Sequence, residues 1–258
     1  MVRYGNQHRL FLQQLISRRL VSDNDLQKLY QKCCEAYAVD APVDGLTDFV
    51  YSVNKALEPL FMEIRRGQSE EDGDIYYALV NCTEDEQSKL ATEYNPQEVE
   101  YIKKILESII ISDEGCVSSI DLINLASDLT KRMTAQAAET IMNQLLSQHW
   151  LTESHGQHSL GPRALIELGQ YIKKNFKDAV SECIMCQDMV IRGDVCLHCG
   201  VKIHRYCASN YYKDTIAGDR KCPSCKEEWT NDVMIPGRKQ SGARNSQQAT
   251  SSRTSRRK

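Results

Sequence analysis

Apolar positions at helical spacing, followed by a short apolar hairpin, fill the first part of the chain. Three helices are predicted by apolar residues with a period of about 3.6, at Leu12, Leu15, Ile16 and Leu20, at Leu26, Leu29, Tyr30, Cys33 and Tyr37, and at Leu46, Phe49, Val50, Val53 and Leu57. Ser22 can cap the second helix, and Pro59 indicates that the third ends nearby. Residues 61–66 and 75–80 then predict two strands around a polar loop.

The following stretch repeats this order of elements. Asn95, Pro96 and Glu98 form a capping-box pattern at the start of a helix. Three helical faces follow, at Val99, Ile102, Leu106 and Ile109, at Leu122, Leu125, Ala126 and Leu129 after Ser119, and at Ala138, Ile141, Met142 and Leu145 after Thr134. A short hairpin turns at Gly156, and Pro162 starts a closing helix. The sequence therefore predicts an α+β protein with winged-helix domains at residues 1–90 and 91–178.

Cysteine placement changes this picture for the C-terminal part. The chain has 11 cysteines, and seven lie between positions 183 and 225. No apolar run approaches the roughly 18 residues of a membrane span, and the first residues lack the apolar segment of a signal peptide. We therefore expect an intracellular, soluble protein without a membrane partner. In a reducing compartment, clustered cysteines indicate metal binding rather than disulfides.

The cysteine cluster contains four pairs of potential zinc ligands, each with two residues between its members. They are Cys183 and Cys186, Cys196 and Cys199, His204 and Cys207, and Cys222 and Cys225. Eight soft ligands suit two Zn²⁺ ions, and a two-residue spacing lets one tight turn aim both ligands at the same ion. The spacing leaves open whether neighbouring or alternate pairs share an ion. His198 is an alternative to His204, but its use would break the regular pairing.

The predicted zinc ions have a structural role in a small domain at residues 179–235. A segment with few large apolar side chains cannot fold by burial alone. Zinc binding, worth roughly 10–16 kcal/mol in finger peptides, would supply the missing free energy. Four protein ligands leave no open position for water, so hydrolytic metal chemistry is not expected.

The ligand order, four cysteines, one histidine and three cysteines, resembles both RING and PHD fingers. PHD fingers usually have a Trp two residues before the seventh ligand, where this chain has Arg220. Ile184 and Pro223 stand where RING ligases form the apolar groove for a ubiquitin-conjugating enzyme. The resemblance to RING fingers implies a cross-brace, in which alternate pairs share an ion. One zinc would then bind Cys183, Cys186, His204 and Cys207, and the other Cys196, Cys199, Cys222 and Cys225.

From residue 8 to about 235, the chain resembles the non-SMC element one family of the SMC five/six complex. The matching motifs are Cys183-Ile184-Met185-Cys186, Cys196-Leu197-His198-Cys199-Gly200, His204-Arg205-Tyr206-Cys207 and Cys222-Pro223-Ser224-Cys225, with residues 63–67 and 77–81. The resemblance implies a nuclear, chromosome-associated factor in DNA repair and recombination. Its winged helices would pair with a MAGE-type subunit near the kleisin, and its RING would act as a ubiquitin ligase. Lys226 replaces an Arg common in strong ligases, so we expect weak activity that a partner raises.

Two other functions stay open for the zinc domain, a non-enzymatic scaffold in the same complex and a PHD-like reader of histone tails. For the winged helices, DNA reading competes with protein docking. The third helix of the second unit has no Lys or Arg from Thr134 to His149, which favours docking. Of the chain's 32 Lys and Arg residues, seven lie in residues 236–258, which contain no Asp or Glu. We expect this basic tail to be disordered. Its role stays open between a nuclear localisation signal, a weak DNA contact and a solvated end that only adds solubility.

Overall fold

The computed structural model describes residues 4–83 and 94–231, so the basic tail lies outside the described residues. The first unit has three helices, α1 (Asn6–Arg18), α2 (Asp23–Glu35) and α3 (Leu46–Leu57). Its sheet has the strands β1 (Leu20–Ser22), β2 (Met62–Gln68) and β3 (Ile75–Asn81), in the order β1-β3-β2 with antiparallel pairs. This is a winged-helix fold.

The second unit repeats that topology. Its helices are α4 (Pro96–Ile111), α5 (Ser119–Asn124), which continues as a 3₁₀ turn over Leu125–Asp128, α6 (Ala135–Ser147) and the closing α7 (Pro162–Asn175). The strands β4 (Val117–Ser118), β5 (Leu151–Ser154) and β6 (Gln157–Leu160) are ordered β4-β6-β5, so the first strand again pairs with the third. The predicted tandem of winged helices is confirmed.

Helix starts follow the predicted capping residues. The Ser22 and Thr134 side chains accept hydrogen bonds from the backbone N–H groups of Asp25 and Ala137. Asn95 forms a full capping box, because its side chain accepts a hydrogen bond from the backbone N–H of Glu98 and its own backbone N–H donates one to the Glu98 carboxylate. Each cap satisfies N–H groups that the first helical turn leaves without partners.

The structure differs from the predicted helices at two helix ends, one of which is followed by a short strand. Leu20, expected on the first helix, begins β1 opposite Ala78, because Arg19 adopts a φ of 64° that ends α1. Tyr37, expected on α2, lies beyond its end and is exposed. Strands of two or three residues, such as β1 and β4, are too short to show alternation in the sequence.

Helix α7 joins the two units. Its Ile166 packs against Ala78 and Val80 of the first unit's sheet. Arg65 on β2 donates a hydrogen bond to the backbone oxygen of Ile166 at 3.2 Å. Gly67 lies so near Ile166 that a Cβ atom would overlap its side chain. The two winged helices therefore meet through a tight apolar contact.

The C-terminal module is small and has little regular structure. It contains two short hairpins, β7 (Ser181–Glu182) with β8 (Met189–Val190) and β9 (Asp194–Val195) with β10 (Lys202–Ile203). One helix, α8 (Arg205–Tyr211), follows, and Tyr212 and Trp229 complete a small core. Among the described helices, none is long and apolar enough to span a membrane.

Candidate metal centre

The eight potential ligands gather into two separate clusters. The first cluster contains Cys183, Cys186, His204 and Cys207, and the second contains Cys196, Cys199, Cys222 and Cys225. In each, the candidate ligand atoms all lie within 4.8 Å of one another. Neighbouring pairs in the sequence therefore fall in different clusters, and alternate pairs share one. This alternation is the cross-brace arrangement.

The distances between donor atoms suit a tetrahedral zinc ion. In the second cluster, Sγ of Cys196 is 3.7 Å from Sγ of Cys225, and Sγ of Cys199 is 3.7 Å from Sγ of Cys222. Zinc–sulfur bonds of about 2.3 Å at tetrahedral angles separate two sulfur atoms by about 3.8 Å. In the first cluster, Nδ1 of His204 is 3.3 Å from Sγ of Cys186 and 4.0 Å from Sγ of Cys207. Both clusters fit zinc binding.

Three of the four pairs are held by the same backbone turn. In each, the first cysteine's N–H donates to the carbonyl oxygen five residues on, and its carbonyl oxygen accepts from the N–H four residues on, at 2.8–3.0 Å. The residue four positions on has a positive φ, and these residues are Gln187, Gly200 and Lys226. A glycine adopts this conformation freely, whereas Gln187 and Lys226 adopt it at some cost. The turn points both ligands of a pair to one side.

The remaining pair, His204 and Cys207, lies at the start of α8. His204 is the N-cap residue of this helix, and Cys207 lies in its first turn. His204 is buried, whereas His198 is exposed in the loop between Cys196 and Cys199 and belongs to neither cluster. The structure thus places His204, the residue preferred from the sequence, beside the three cysteines.

The cysteine thiols of the two clusters differ in pKa, and therefore in how readily they ionise. Backbone N–H groups, that of Cys199 foremost, lower the pKa of Cys196 to about 6. Burial raises the pKa of Cys183, but backbone N–H groups, that of Cys186 first, outweigh it and bring the value to about 7. Burial and then the charges of Cys183 and Cys186 raise the pKa of Cys207. A divalent cation would remove this mutual repulsion, which also fits a metal site.

A carboxylate from the first winged helix also reaches the first cluster. Oε1 of Glu70, in the loop between β2 and β3, lies 3.4 Å from Nε2 of His204. Burial lowers the pKa of His204, but the hydrogen bond and charge of Glu70 outweigh it and raise the value to about 9. Sequence reasoning missed Glu70, since nothing local to its loop relates it to a cysteine cluster more than a hundred residues away.

The two residues expected to contact a conjugating enzyme lie on the turns of different clusters. Ile184 is 37% exposed and Pro223 is half-buried. Leu197, within the turn of the second pair, is 77% exposed. Apolar side chains on the zinc turns are therefore accessible to a partner.

Comparison with known protein families identifies the family to which the chain belongs. The family described as "Nse1 non-SMC component of SMC5-6 complex" matches residues 8–168, more than half of the sequence. The chain belongs to the Nse1 family. A family described as a RING-like domain matches residues 183–225, the segment with the two clusters. The resemblance seen in the sequence is confirmed, and so is the RING-like fold of the C-terminal module in this Nse1 family member.

Named Nse1 relatives are similar over almost their whole length. A "Non-structural maintenance of chromosomes element 1 homolog" of Xenopus laevis is 35% identical over 90% of this chain and 85% of its own. The Homo sapiens homolog is 35% identical over 88% and 85%. A Schizosaccharomyces pombe relative is 28% identical over 90% and 95%. A solved structure titled "Nse1-Nse3-Nse4 complex" matches with a TM-score of 0.82 and 36% identity, covering 90% of this chain and all of that one.

Proposed function

We propose that this chain is the Nse1 subunit of an SMC5-6 complex, in which its winged helices dock an Nse3-type MAGE subunit near an Nse4-type kleisin. The support is the likeness to a chain of an Nse1-Nse3-Nse4 complex over 90% of the sequence. Charge also favours protein docking over DNA reading. Helix α6 has no Lys or Arg, and α3 has only Lys55 to set against Asp48.

We propose a separate role for each region of the chain. We assign docking to the winged-helix domains at residues 1–90 and 91–178, and partner recognition by zinc turns to residues 179–235. Weak DNA contact is assigned to the basic tail at residues 236–258. Such a subunit would act in the nucleus, on chromosomes, in DNA repair and recombination.

The RING-like module is proposed to bind two structural Zn²⁺ ions and to act as a ubiquitin ligase. The observation that carries this proposal is the alternation of ligand pairs between the two clusters in a segment that matches a RING-like family. All eight donors are needed for two four-coordinate ions, so neither ion would activate water. The zinc ions instead supply folding free energy and fix the exposed turns.

The chemistry of such a ligase is positional. The module offers no nucleophile of its own, because its clustered thiols are taken as metal ligands. Ile184 and Pro223 would hold a ubiquitin-charged conjugating enzyme so that a lysine attacks a well-oriented thioester. The conjugating enzyme supplies the reactive bond, and this chain supplies the orientation.

Lys226 supports the expectation of weak activity without a partner. Lys226 is the positive-φ residue of the backbone turn that carries Cys222 and Cys225. Its Nζ donates a hydrogen bond to the backbone oxygen of Pro223 at 2.9 Å. A side chain folded back on its own turn is poorly placed to brace ubiquitin. A docked winged-helix partner would then have to supply the missing orientation.

Ubiquitin transfer by the full chain, with and without its Nse3-type partner, tests the proposal. Ile184→Ala should lower transfer at least about tenfold, the effect of losing roughly 1.4 kcal/mol of binding. Ile216→Ala, which changes an isoleucine that is 66% exposed in the same module but outside the ligand turns, is the control and should leave transfer unchanged. Metal content and partner binding should equal those of the wild type in both variants.

The transfer assay separates the ligase from the scaffold, and a peptide-binding assay separates it from the histone reader. If no conjugating enzyme in a broad panel supports transfer, the non-enzymatic scaffold is the correct reading. Binding of methyl-lysine peptides would favour the PHD-like reader. Against that reader, the position usually held by a PHD Trp is filled by the buried Arg220, whose guanidinium lies 5.9 Å from the Tyr212 ring centroid.

A further inference from the structure

The loop between β2 and β3, residues 69–74, extends from the first winged helix onto the zinc module. At its start, Glu70 is buried, with only 6% of the residue exposed. Its Oε1 accepts a hydrogen bond from the backbone N–H of Ile191 at 2.7 Å, and its Oε2 accepts one from Arg192 at 3.1 Å. Burying a carboxylate is costly unless its oxygens find such donors, so this placement is specific.

The third contact of Glu70 is with the histidine of the first cluster. Nδ1 of His204 faces the thiols of Cys186 and Cys207, so the ring proton is assigned to Nε2. Nε2 lies 3.1 Å from the backbone oxygen of Met189 and 3.4 Å from Oε1 of Glu70. A metal-bound histidine commonly directs its second nitrogen to a carboxylate or carbonyl, which fixes the ring and makes it a better ligand.

We propose that Glu70 is a positioning residue for the metal site formed by Cys183, Cys186, His204 and Cys207. The first winged helix thereby completes the first metal site of the RING-like module, whereas the second site is built by the module alone. This inference rests on the proposed zinc binding and adds a residue from outside the module. Metal affinity at one site then depends on how the first winged helix is docked.

The fit of the loop around His204 supports this role. Gly73 has a φ of 78°, and a Cβ atom there would lie 2.8 Å from Cβ of Tyr206. The Tyr206 ring in turn stacks on His204, with centroids 4.9 Å apart and planes at 16°. Beside Glu70, Glu71 forms an ion pair with Arg192 that does not reach a cluster residue. The loop is therefore shaped to bring one carboxylate, and not its neighbour, to the histidine.

The test compares Glu70→Gln with the matched control Glu71→Gln in the full chain. Elemental analysis first establishes whether the wild type holds two zinc ions. Chelator titration with a chromogenic zinc indicator then follows their release. We expect Glu70→Gln to lower the affinity for one zinc equivalent about tenfold to a hundredfold and to leave the other unchanged. Glu71→Gln should release both ions as the wild type does.

A spectroscopic measurement separates positioning from a general loosening of the fold. With ¹¹³Cd in place of zinc, the three-sulfur, one-nitrogen site and the four-sulfur site give separate resonances. Glu70→Gln should shift only the resonance of the site with the histidine. Unchanged release, equal acceleration of both ions, movement of both resonances, or the same effect in Glu71→Gln would each overturn the inference. A wild type without two zinc ions would instead overturn the metal proposal, and the inference with it.

Discussion

The winged-helix units and the zinc module are stabilised in different ways. Each winged helix has a core of large apolar side chains, such as Phe11 and Leu26 in the first and Tyr101 and Ile105 in the second, all fully buried. In the module, much of the buried core consists of the candidate ligands themselves. Burial of apolar side chains can stabilise the first kind of region, whereas we expect the second to need bound metal and contact with its neighbours.

The module also relies on the winged helices for packing. Its Ile191 belongs to the core of the second unit. Gly115 of that unit lies close to the Ile191 backbone, since a Cβ atom there would be 2.7 Å from the Ile191 oxygen. Together with the Glu70 contacts, this packing holds the module against both winged helices.

Metal removal should produce the largest difference between the regions. Stripping both ions removes a binding free energy of roughly 10–16 kcal/mol per site, so the module should unfold while the winged helices stay folded. The chain's two tryptophans report separately, because Trp150 lies in the second unit's core and Trp229 in the module's core. After chelation, fluorescence should shift to the red in Trp150→Phe, where only Trp229 emits.

The complementary variant is the control for that experiment. In Trp229→Phe, only Trp150 emits, and chelation should leave its emission almost unchanged. An equal red shift of both reporters would show that the regions fold as one unit and that the contrast between them is wrong.

Truncating a core side chain of a winged helix should do the opposite of metal removal, because it should destabilise the winged helix and leave zinc binding unchanged. Ile105 on α4 is fully buried, and Ile105→Ala should cost about 2–5 kcal/mol of the free energy of unfolding of the second winged helix. Urea denaturation followed by Trp150 emission measures this loss. Zinc content in the absence of urea should remain that of the wild type. Loss of zinc from Ile105→Ala would indicate that metal binding depends on the winged-helix core.

Most local features were predicted from the sequence, apart from the helix ends at Leu20 and Tyr37. The cap at Asn95 and the helical face that follows it depend on residues within a few positions of each other, and both are confirmed. The two-residue spacing within each ligand pair is equally local. The alternation of pairs between clusters came only from the resemblance to RING fingers, since spacing left it open.

Contacts between regions could not be predicted. Glu70 reaches His204 across more than a hundred residues, and its polar loop gives no sign of a buried carboxylate. The packing of Ile166 on Ala78 is likewise a contact between two units, where an isoleucine on an amphipathic helix would fit its own core equally well. Short strands such as β4 depend on the partner strand that they join, which no local pattern shows.

The junction between the winged helices should respond less than either core. Gly67→Ala would place a Cβ atom against Ile166, and overpacking of this kind costs about 1–3 kcal/mol. We expect a lower unfolding midpoint in thermal denaturation. Ile166→Ala removes both Cγ1 and Cδ1, the two atoms nearest to the new Cβ, so the double variant should lose less stability than the sum of the two single variants. If the two losses simply add, the clash at Ile166 is not the cause.

The smallest expected effect is a decrease in the stability of the first winged helix at acidic pH, caused by His8. His8 is fully buried, and its ring stacks on Phe49 with centroids 4.1 Å apart. Its Nδ1 accepts a hydrogen bond from the Gly5 N–H, and in the described part of the chain Nε2 has no hydrogen-bond partner. Burial therefore lowers the pKa of His8 below the ordinary value of 6.5.

Above that ordinary value His8 is neutral in both the folded and the unfolded chain, and its contribution to stability is complete. As the pH falls below it, the unfolded chain binds a proton before the folded chain does, so the free energy of unfolding decreases until the lowered pKa is passed. His8→Phe keeps the ring stacking and removes the titration. Between about pH 7.5 and about pH 5, urea unfolding monitored by circular dichroism should show a larger loss in the wild type than in His8→Phe. Zinc loss in acid affects both proteins alike, so parallel pH profiles would mean that His8 is protonated in the folded chain as easily as in the unfolded one.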